Sequence, residues 1–196
     1  MCSRREVVDV ARRMARRGLV VGSLGNISCR RGDSVIITPT QRPYETMQPR
    51  DLVVIDQNGR VIAGRFAPSS EFRVHLAIYR AMPRARAVVH THSIHAVGLS
   101  LVSSELPALT DEMGAVGGAV PVVKRAPPGT AALADAVAAR MLDGSSSAAI
   151  LTAHGVVAAG ASPTEALAVC CLVERNAGLW LSVLRAGGPQ ERRDAL

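Results

Sequence analysis

Three histidines and one glutamate are the residues of this sequence whose types and spacing favour metal chemistry. His90 and His92 follow the apolar residues 87–89, a run typical of a buried strand in which residues i and i+2 point to the same face. Their two imidazoles can therefore reach one point. Together with the imidazole of His154 and the carboxylate of Glu71, they form the ligand set of a catalytic divalent metal site, for which zinc is the first candidate.

The segment that ends at Glu71 also has the composition of an anion site. Ser69-Ser70-Glu71 precedes a predicted amphipathic helix, and the free N–H groups at a helix start bind phosphate, helped by hydroxyl donors. Residues 23–28 add glycine flexibility with amide and hydroxyl donors, and residues 38–41 add further amide and hydroxyl donors, so three segments can surround one anion. The alternative for the serines is that they only cap the helix. Glu71 itself can reach a metal or transfer a proton.

Three further residues are candidates for chemistry. His75 lies four residues after Glu71 on the same helix face, so it can orient the carboxylate or be a histidine of the core. His95 lies three residues after His92, so it does not continue the two-residue spacing of His90 and His92. It is not expected to touch the metal. Lys124 is the single lysine, and a Schiff-base enzyme would have to use it. No other catalytic signal surrounds it, so the sequence favours metal chemistry over iminium chemistry.

The elements that must position these residues alternate along the chain. Predicted helices cover residues 4–17, 70–82, 95–101, 131–142 and 163–186, and predicted strands cover 35–38, 51–55, 60–63, 86–91, 119–123, 148–152 and 156–159. We therefore predict one α/β domain over residues 1–196, with strands of mixed order packed against helices and a frayed tail from about residue 187.

Composition and charge restrict the classes of protein that remain. Hydrophobic residues make up 48% of the chain, which favours a globular fold over disorder. No apolar stretch is expected to reach membrane-spanning length, and the N-terminus lacks the apolar core of a signal peptide. We therefore predict a cytoplasmic protein without a membrane partner. The four cysteines (Cys2, Cys29, Cys170 and Cys171) form no Cys-x-x-Cys pair and are expected to be reduced.

The net charge of +7 is compatible with nucleic-acid binding. The arginines, however, are spread along the chain, and the first group lies on the polar face of an amphipathic helix. A solvated helix face, or attraction of an anionic small substrate, explains this charge equally well. We therefore predict a small phosphorylated substrate and no nucleic-acid partner.

Five short motifs follow one another along the chain. They are Gly25-Asn26-Ile27-Ser28, Thr38-Pro39-Thr40, Ser69-Ser70-Glu71, His90-Thr91-His92-Ser93 and Leu151-Thr152-Ala153-His154-Gly155. In this order they resemble the class II aldolase/adducin family, and within it most closely the aldolases of L-fuculose 1-phosphate. The resemblance spans roughly residues 5–183, and the combined motifs are specific for the family rather than for one reaction.

The resemblance implies a fold, an assembly and a site. The fold is a single α/β/α domain with a central, mainly antiparallel sheet, commonly assembled as a fourfold-symmetric homotetramer with active sites at the subunit interfaces. Zinc, or another divalent metal, would be held by His90, His92 and His154. Glu71 would be a fourth ligand in the resting state and then the general acid/base. The substrate phosphate would be held by Asn26, Thr40, Ser69 and Ser70.

The implied reaction is cleavage of a ketose 1-phosphate, such as L-fuculose 1-phosphate, through a metal-stabilised enediolate. Deprotonation of the C4 hydroxyl allows the C3–C4 bond to break, an aldehyde leaves, and Glu71 protonates the remaining fragment to give dihydroxyacetone phosphate. Relatives on the same scaffold catalyse decarboxylation, dehydration or epimerisation of sugar phosphates and sugar acids, and these reactions are alternatives. A non-catalytic, adducin-like binding module is a further alternative, against which the complete ligand set argues.

Two positions depart from the pattern of the fuculose-phosphate aldolases. Gln41 replaces the glycine that usually follows Thr40, where a backbone N–H would meet the phosphate. Glu112 takes roughly the place of a catalytic tyrosine. It is a candidate for an additional acid/base or for a helix cap.

Overall fold

The structure, a computed structural model, describes residues 2–188, and within that range nine strands form one sheet. The order across the sheet is β4-β3-β2-β1-β5-β9-β8-β7-β6, which places β5 at the centre. The strands are β1 (Asn26–Arg31), β2 (Ser34–Ile37), β3 (Val53–Asp56), β4 (Val61–Ala63), β5 (Ala87–Thr91), β6 (Glu105–Leu106), β7 (Val120–Val123), β8 (Ala148–Leu151) and β9 (Gly155–Gly160).

Neighbouring strands of the described sheet run antiparallel, with one exception. The β7–β8 pair is parallel, whereas β5 pairs antiparallel with β1 on one side and β9 on the other. The predicted central, mainly antiparallel sheet is therefore confirmed.

Five helices cover the two faces of the described sheet. Alternate residues of β5 face opposite layers, as the pleat requires. Val89 packs in the core that α1, α3 and α5 share, and Val88 packs in the core that α2 and α4 share. The predicted α/β/α fold is confirmed. The helices are α1 (Arg4–Arg16), α2 (Phe72–Ala81), α3 (Ile94–Leu99), α4 (Ala131–Asp143) and α5 (Pro163–Arg185), with 3-10 helices at Pro49–Asp51 and Asp111–Val116.

Strand β1 is the main element that the sequence pattern does not predict, and the short β6 is the other. The first strand that the pattern predicts begins at residue 35, whereas β1 begins at Asn26. Polar residues at 26, 28 and 30 hide the alternation, although Ile27 and Cys29 are buried on the α5 side. The other predicted helices and strands lie within two residues of the observed bounds. The prediction of one domain over 1–196 stays a prediction, and its frayed tail lies outside the described residues from 189 onward.

Helix α5 begins as its capping residues predict. The Ser162 hydroxyl accepts a hydrogen bond from the Glu165 N–H at 3.1 Å, and the Glu165 carboxylate accepts one from the Ala161 N–H at 3.1 Å. By length and composition alone, α5 is apolar enough to cross a membrane, so the expectation that no stretch reaches that length is wrong for this helix. The helix packs against β5, β9 and α3. Core helices of soluble proteins can be equally long and apolar.

Two of the four cysteines do not match the prediction of reduced thiols. Cys2 and Cys29 are joined as a disulfide, which links the residues before α1 to strand β1. Their separation of 27 residues gave no sequence signal, because only the packing of α1 on β1 brings them together. Cys170 is a free thiol buried in the core, and Cys171 is a half-buried free thiol.

Gly155, which begins β9, lies where no side chain fits. A Cβ atom there would lie 1.9 Å from the carbonyl oxygen of Thr91 on β5. We expect Gly155→Ala to lower the free energy of unfolding of the metal-free protein by about 3 kcal/mol, the upper range for overpacking a core. Urea unfolding measures this change. Gly114→Ala is the control, because a Cβ at Gly114 meets nothing within 4 Å. Equal midpoints for both variants would contradict the expectation.

Candidate metal centre

The end of β5 presents two imidazoles to the α2 side of the sheet. His90 is the cross-strand neighbour of Asn26 on β1 and of Val157 on β9. His92 follows the strand, and its backbone N–H donates to the Leu19 carbonyl at 2.9 Å. The predicted alternation along this strand is therefore realised.

The third imidazole comes from the tight turn between β8 and β9. The His154 N–H donates to the Leu151 carbonyl at 3.0 Å, and the Thr152 hydroxyl donates to the Val123 carbonyl at 2.7 Å. Ala153, just before His154, has a φ of 54°, a left-handed conformation that non-glycine residues adopt rarely. Such a residue persists only where its surroundings hold it, as they do beside this histidine.

Glu71 is the residue immediately before α2. The predicted helix start at residue 70 is therefore two residues early, and Glu71 is itself the N-cap residue, without a side-chain cap hydrogen bond. The Ser69 hydroxyl accepts from the Glu71 N–H at 3.3 Å. The Glu71 carboxylate oxygens lie 3.3 Å from His90 Nε2 and 3.4 Å from His154 Nε2.

The ligand atoms of Glu71, His90, His92 and His154 all lie within 4.8 Å of one another. His90 Nδ1–H donates to the Val156 carbonyl at 2.9 Å, so the lone pair of its Nε2 points into the cluster. That nitrogen and Glu71 Oε1 are buried and have no hydrogen-bond partner among the described residues. Because both atoms are buried acceptors of the same cluster, a cation bound there would supply the partner that they lack, and this donor set fits a divalent metal.

The ionisation of these groups favours metal binding. Burial, followed by repulsion from His90 and His154, lowers the pKa of His92 to about 4. Burial and repulsion from His90 also lower the pKa of His154. Burial alone raises the pKa of Glu71, but attraction to His90 and His154 and a hydrogen bond from Asn26 outweigh it and lower that pKa. Neutral imidazoles beside a carboxylate are the forms that coordinate a metal.

A cleft of about 380 Å³ opens beside the cluster, lined among others by Glu71, His92 and His154. Gln41 also lines it and has a φ of 55°, a left-handed conformation that glycine adopts without strain. The backbone at 41 thus keeps the form expected of the missing glycine. The four residues predicted to hold phosphate all line this cleft: Asn26, Thr40, Ser69 and Ser70.

Sequence reasoning missed a further wall of this cleft. Pro128 lines it, and a Cβ at Gly129 would lie 2.8 Å from the Ser70 carbonyl oxygen. Arg73 donates to the Gly129 carbonyl at 3.0 Å and holds the loop there. The run Pro127-Pro128-Gly129 precedes the predicted helix at residue 131, and its rigid turn chemistry is a sequence signal for such a wall.

Other candidates lie elsewhere in the described chain. His95 Nδ1 lies 2.9 Å from the Glu174 carboxylate and takes no part in the cluster. Glu112 is exposed on its 3-10 helix, where hydrogen bonds from Thr110 and its own backbone lower its pKa, and it does not line the cleft of its own chain. Ser28, one of the hydroxyl donors considered for the anion, is buried and turned toward His75.

Comparison with known proteins gives three findings. Residues 5–181 match the family described as class II aldolase and adducin N-terminal domain. The L-fuculose phosphate aldolase of Escherichia coli (strain K12) is 37% identical over 94% of this chain and 85% of its own length. A solved structure of an L-fuculose 1-phosphate aldolase superposes with a TM-score of 0.90 at 28% identity, covering 95% of this chain and 88% of the other.

A relative with another reaction also matches. The L-ribulose-5-phosphate 4-epimerase UlaF of Salmonella paratyphi B is 41% identical over 54% of this chain and 47% of its own length. The similarity therefore extends beyond one activity.

Proposed function

The chain belongs to the class II aldolase/adducin family, and from that premise we propose that it is a zinc-dependent aldolase of a ketose 1-phosphate such as L-fuculose 1-phosphate. The predicted enzyme class, a class II carbon–carbon lyase, is confirmed by the family and the aldolase relatives. The observation that carries the proposal is the cluster of three imidazoles and one carboxylate, with ligand atoms within 4.8 Å of one another, beside a cleft with neutral donors.

His90, His92 and His154 would hold the metal, with Glu71 as the fourth ligand at rest. When bound, a divalent cation supplies Lewis-acid polarisation of the ketose carbonyl and compensates the negative charge that develops on cleavage. The buried Nε2 lone pair of His90 and the unpaired Glu71 oxygen support this assignment.

Glu71 is the group placed to transfer the proton at the reacting carbon. The ionised Glu71 carboxylate takes up the C4 hydroxyl proton through water in the open cleft, the C3–C4 bond breaks and the aldehyde leaves. Glu71 then donates a proton to C3 and yields dihydroxyacetone phosphate; in the reverse direction it removes that proton. Its carboxylate lines the cleft, and its oxygens lie 3.3 Å from His90 Nε2 and 3.4 Å from His154 Nε2, which supports this role.

The substrate phosphate is proposed to lie against Thr40, Ser69 and Ser70, with Asn26 beside them. Ser69 is buried and Ser70 is exposed at the cleft, directly before the N-terminus of α2. The positive dipole end of that helix, together with hydroxyl donors, attracts an anion.

Removal of the Ser70 hydroxyl tests this anion site. We expect Ser70→Ala to raise KM for a ketose 1-phosphate and the Kd for inorganic phosphate about tenfold, because a hydrogen bond to a charged group contributes about 1.5 kcal/mol. We expect kcat to change little. Steady-state kinetics and competition by phosphate measure both effects, and Ser182→Ala on the remote helix α5 is the matched control. An unchanged KM in the Ser70 variant would remove this residue from the site.

The proposed reaction is tested by identifying products. Zinc-loaded protein is incubated with a panel of ketose 1-phosphates, and dihydroxyacetone phosphate and the aldehydes are quantified. Cleavage of at least one member to equal amounts of both products is expected. Failure of every member would contradict the aldolase proposal.

A second candidate is an epimerase, decarboxylase or dehydratase on the same site. The epimerase relative, together with Gln41 and Glu112 at positions where the fuculose-phosphate aldolases differ, favours keeping it. Mass spectrometry separates the reactions: epimerisation keeps the mass, dehydration removes water and decarboxylation removes carbon dioxide. Detection of aldol cleavage to dihydroxyacetone phosphate and an aldehyde alone would end this candidate.

Three further expectations stay proposals. The assembly is proposed to be a homotetramer with active sites at its interfaces, which would let Glu112 of one copy approach the cleft of another. Light scattering of the purified protein determines the mass of the assembly. A cytoplasmic location, without membrane or nucleic-acid partners, is proposed alongside it.

A further inference from the structure

A continuous row of buried side chains runs away from the metal cluster into the core. Asn26 Nδ2 lies 2.9 Å from Glu71 Oε2, and the Asn26 Oδ1 atom meets His75 Nε2. On the other side of the ring, His75 Nδ1 lies 2.6 Å from Ser28 Oγ, which lies 2.7 Å from the Tyr79 hydroxyl. Each of the four residues behind Glu71 is at most 3% exposed.

The direction of every hydrogen bond in this row follows from the charge on Glu71. An ionised carboxylate only accepts, so the NH₂ group of Asn26 must face it and the amide oxygen must face His75. That oxygen needs a donor, which places the ring proton of His75 on Nε2. The bare Nδ1 then accepts from the Ser28 hydroxyl, and Ser28 in turn accepts from Tyr79.

The protonation of the two aromatic members agrees with this direction. Burial, and then repulsion by His90, lowers the pKa of His75 to about 3, so the ring is neutral and carries one proton at neutral pH. Burial raises the pKa of Tyr79, so its hydroxyl keeps its proton and donates.

The row also joins α2 and β1, two elements whose relative position must be fixed for the site to form. Glu71 and His75 are one turn apart at the start of α2, whereas Asn26 and Ser28 alternate along β1. The Asn26 amide thus forms one hydrogen bond to Glu71, which it orients, and another to His75 behind it.

We infer that His75 is a positioning residue: through Asn26 it fixes the carboxylate of Glu71 in the orientation that the metal cluster and the proton transfer require. Ser28 and Tyr79 hold the ring in the tautomer that makes this contact. The inference rests on the proposed function, since it assigns a task to Glu71.

Two amide variants of His75 separate positioning from simple core packing. His75→Gln keeps a donor near the place of Nε2, which can reach Asn26. His75→Asn keeps a polar atom near the place of Nδ1, which can reach Ser28 but not Asn26. Both remove the ring, so their packing losses are similar.

We expect His75→Asn to weaken zinc binding and to lower kcat by about 10- to 100-fold, the usual effect of losing a partner behind a metal ligand. We expect His75→Gln to stay within about threefold of the wild-type values. Zinc affinity is measured by competition with a chelator, and thermal unfolding confirms that both variants fold. Equal losses in two folded variants would overturn the inference.

The ring tautomer provides a readout that needs no variant to fold. In a long-range ¹H–¹⁵N correlation spectrum of zinc-treated wild-type protein, we expect the proton of His75 on Nε2 and none on Nδ1 at neutral pH. A proton on Nδ1 would overturn the inference. Neither the ring tautomer nor the zinc affinity depends on turnover. Protein that binds zinc but cleaves no ketose 1-phosphate would contradict the proposed function, while the tautomer and the zinc affinities of the variants would still decide the role of His75.

Discussion

Replacement of His92 by alanine is expected to abolish zinc binding at stoichiometric concentrations and to lower kcat/KM by at least about a thousandfold. The reason is that His92 supplies one of three imidazoles, and two imidazoles and a carboxylate leave a four-ligand site incomplete. Loss of the cation removes several kcal/mol of stabilisation of the developing charge, and each 1.36 kcal/mol corresponds to a factor of ten in rate.

The measurement combines metal analysis of the purified variant with the cleavage assay. His92 is only half-buried, so we expect the metal-free variant to fold. His95→Ala is the matched control, because His95 is exposed and contacts Glu174 rather than the cluster. A His92→Ala protein that retained one zinc per chain and wild-type turnover would exclude the proposed ligand set.

Substitution of Glu71 by glutamine has the second largest expected effect, and it separates proton transfer from metal binding. The amide keeps the size of the side chain but cannot take up or deliver a proton at C3. We expect kcat to fall by about 10²- to 10⁴-fold, the range that general acid/base groups contribute. Zinc stays bound through the three histidines, with a lower affinity.

The exchange of the C3 proton of dihydroxyacetone phosphate with deuterium from solvent reports this step directly. Wild-type protein is expected to catalyse the exchange, and Glu71→Gln protein to lose it while retaining zinc. Glu165→Gln is the control, because that glutamate lies in the first turn of α5, outside the cluster. Undiminished exchange in the Glu71 variant would assign the proton transfer to another group.

The sequence predicts those parts of the site that depend on local periodicity. His90 and His92 follow from the two-residue repeat of a buried strand, which the backbone of β5 obeys. His154 lies 63 positions after Thr91, the last residue of β5, yet the β8–β9 turn returns it to the end of that strand. Its place in the cluster was expected from the order of the motifs, because no local pattern specifies that return.

The parts that local patterns do not predict depend on contacts between distant segments. Strand β1 carries Asn, Ser and Arg, so its alternation is hidden until β5 and β2 pair with it on both sides. The contact of His75 with Asn26 requires the register of β1 against β5 and the seating of α2 over both. The approach of Gly129 to Ser70 and the Cys2–Cys29 disulfide are likewise set by tertiary packing.

We claim that one divalent metal, held by the histidine cluster, is required for aldol cleavage. The most direct test is to strip the protein with a chelator and titrate zinc back while product formation is followed. We expect the stripped protein to be inactive and cleavage of the ketose 1-phosphate to rise linearly until one zinc is bound per chain. Full cleavage by metal-free protein, or no cleavage by protein with one zinc bound at the cluster, would contradict the claim.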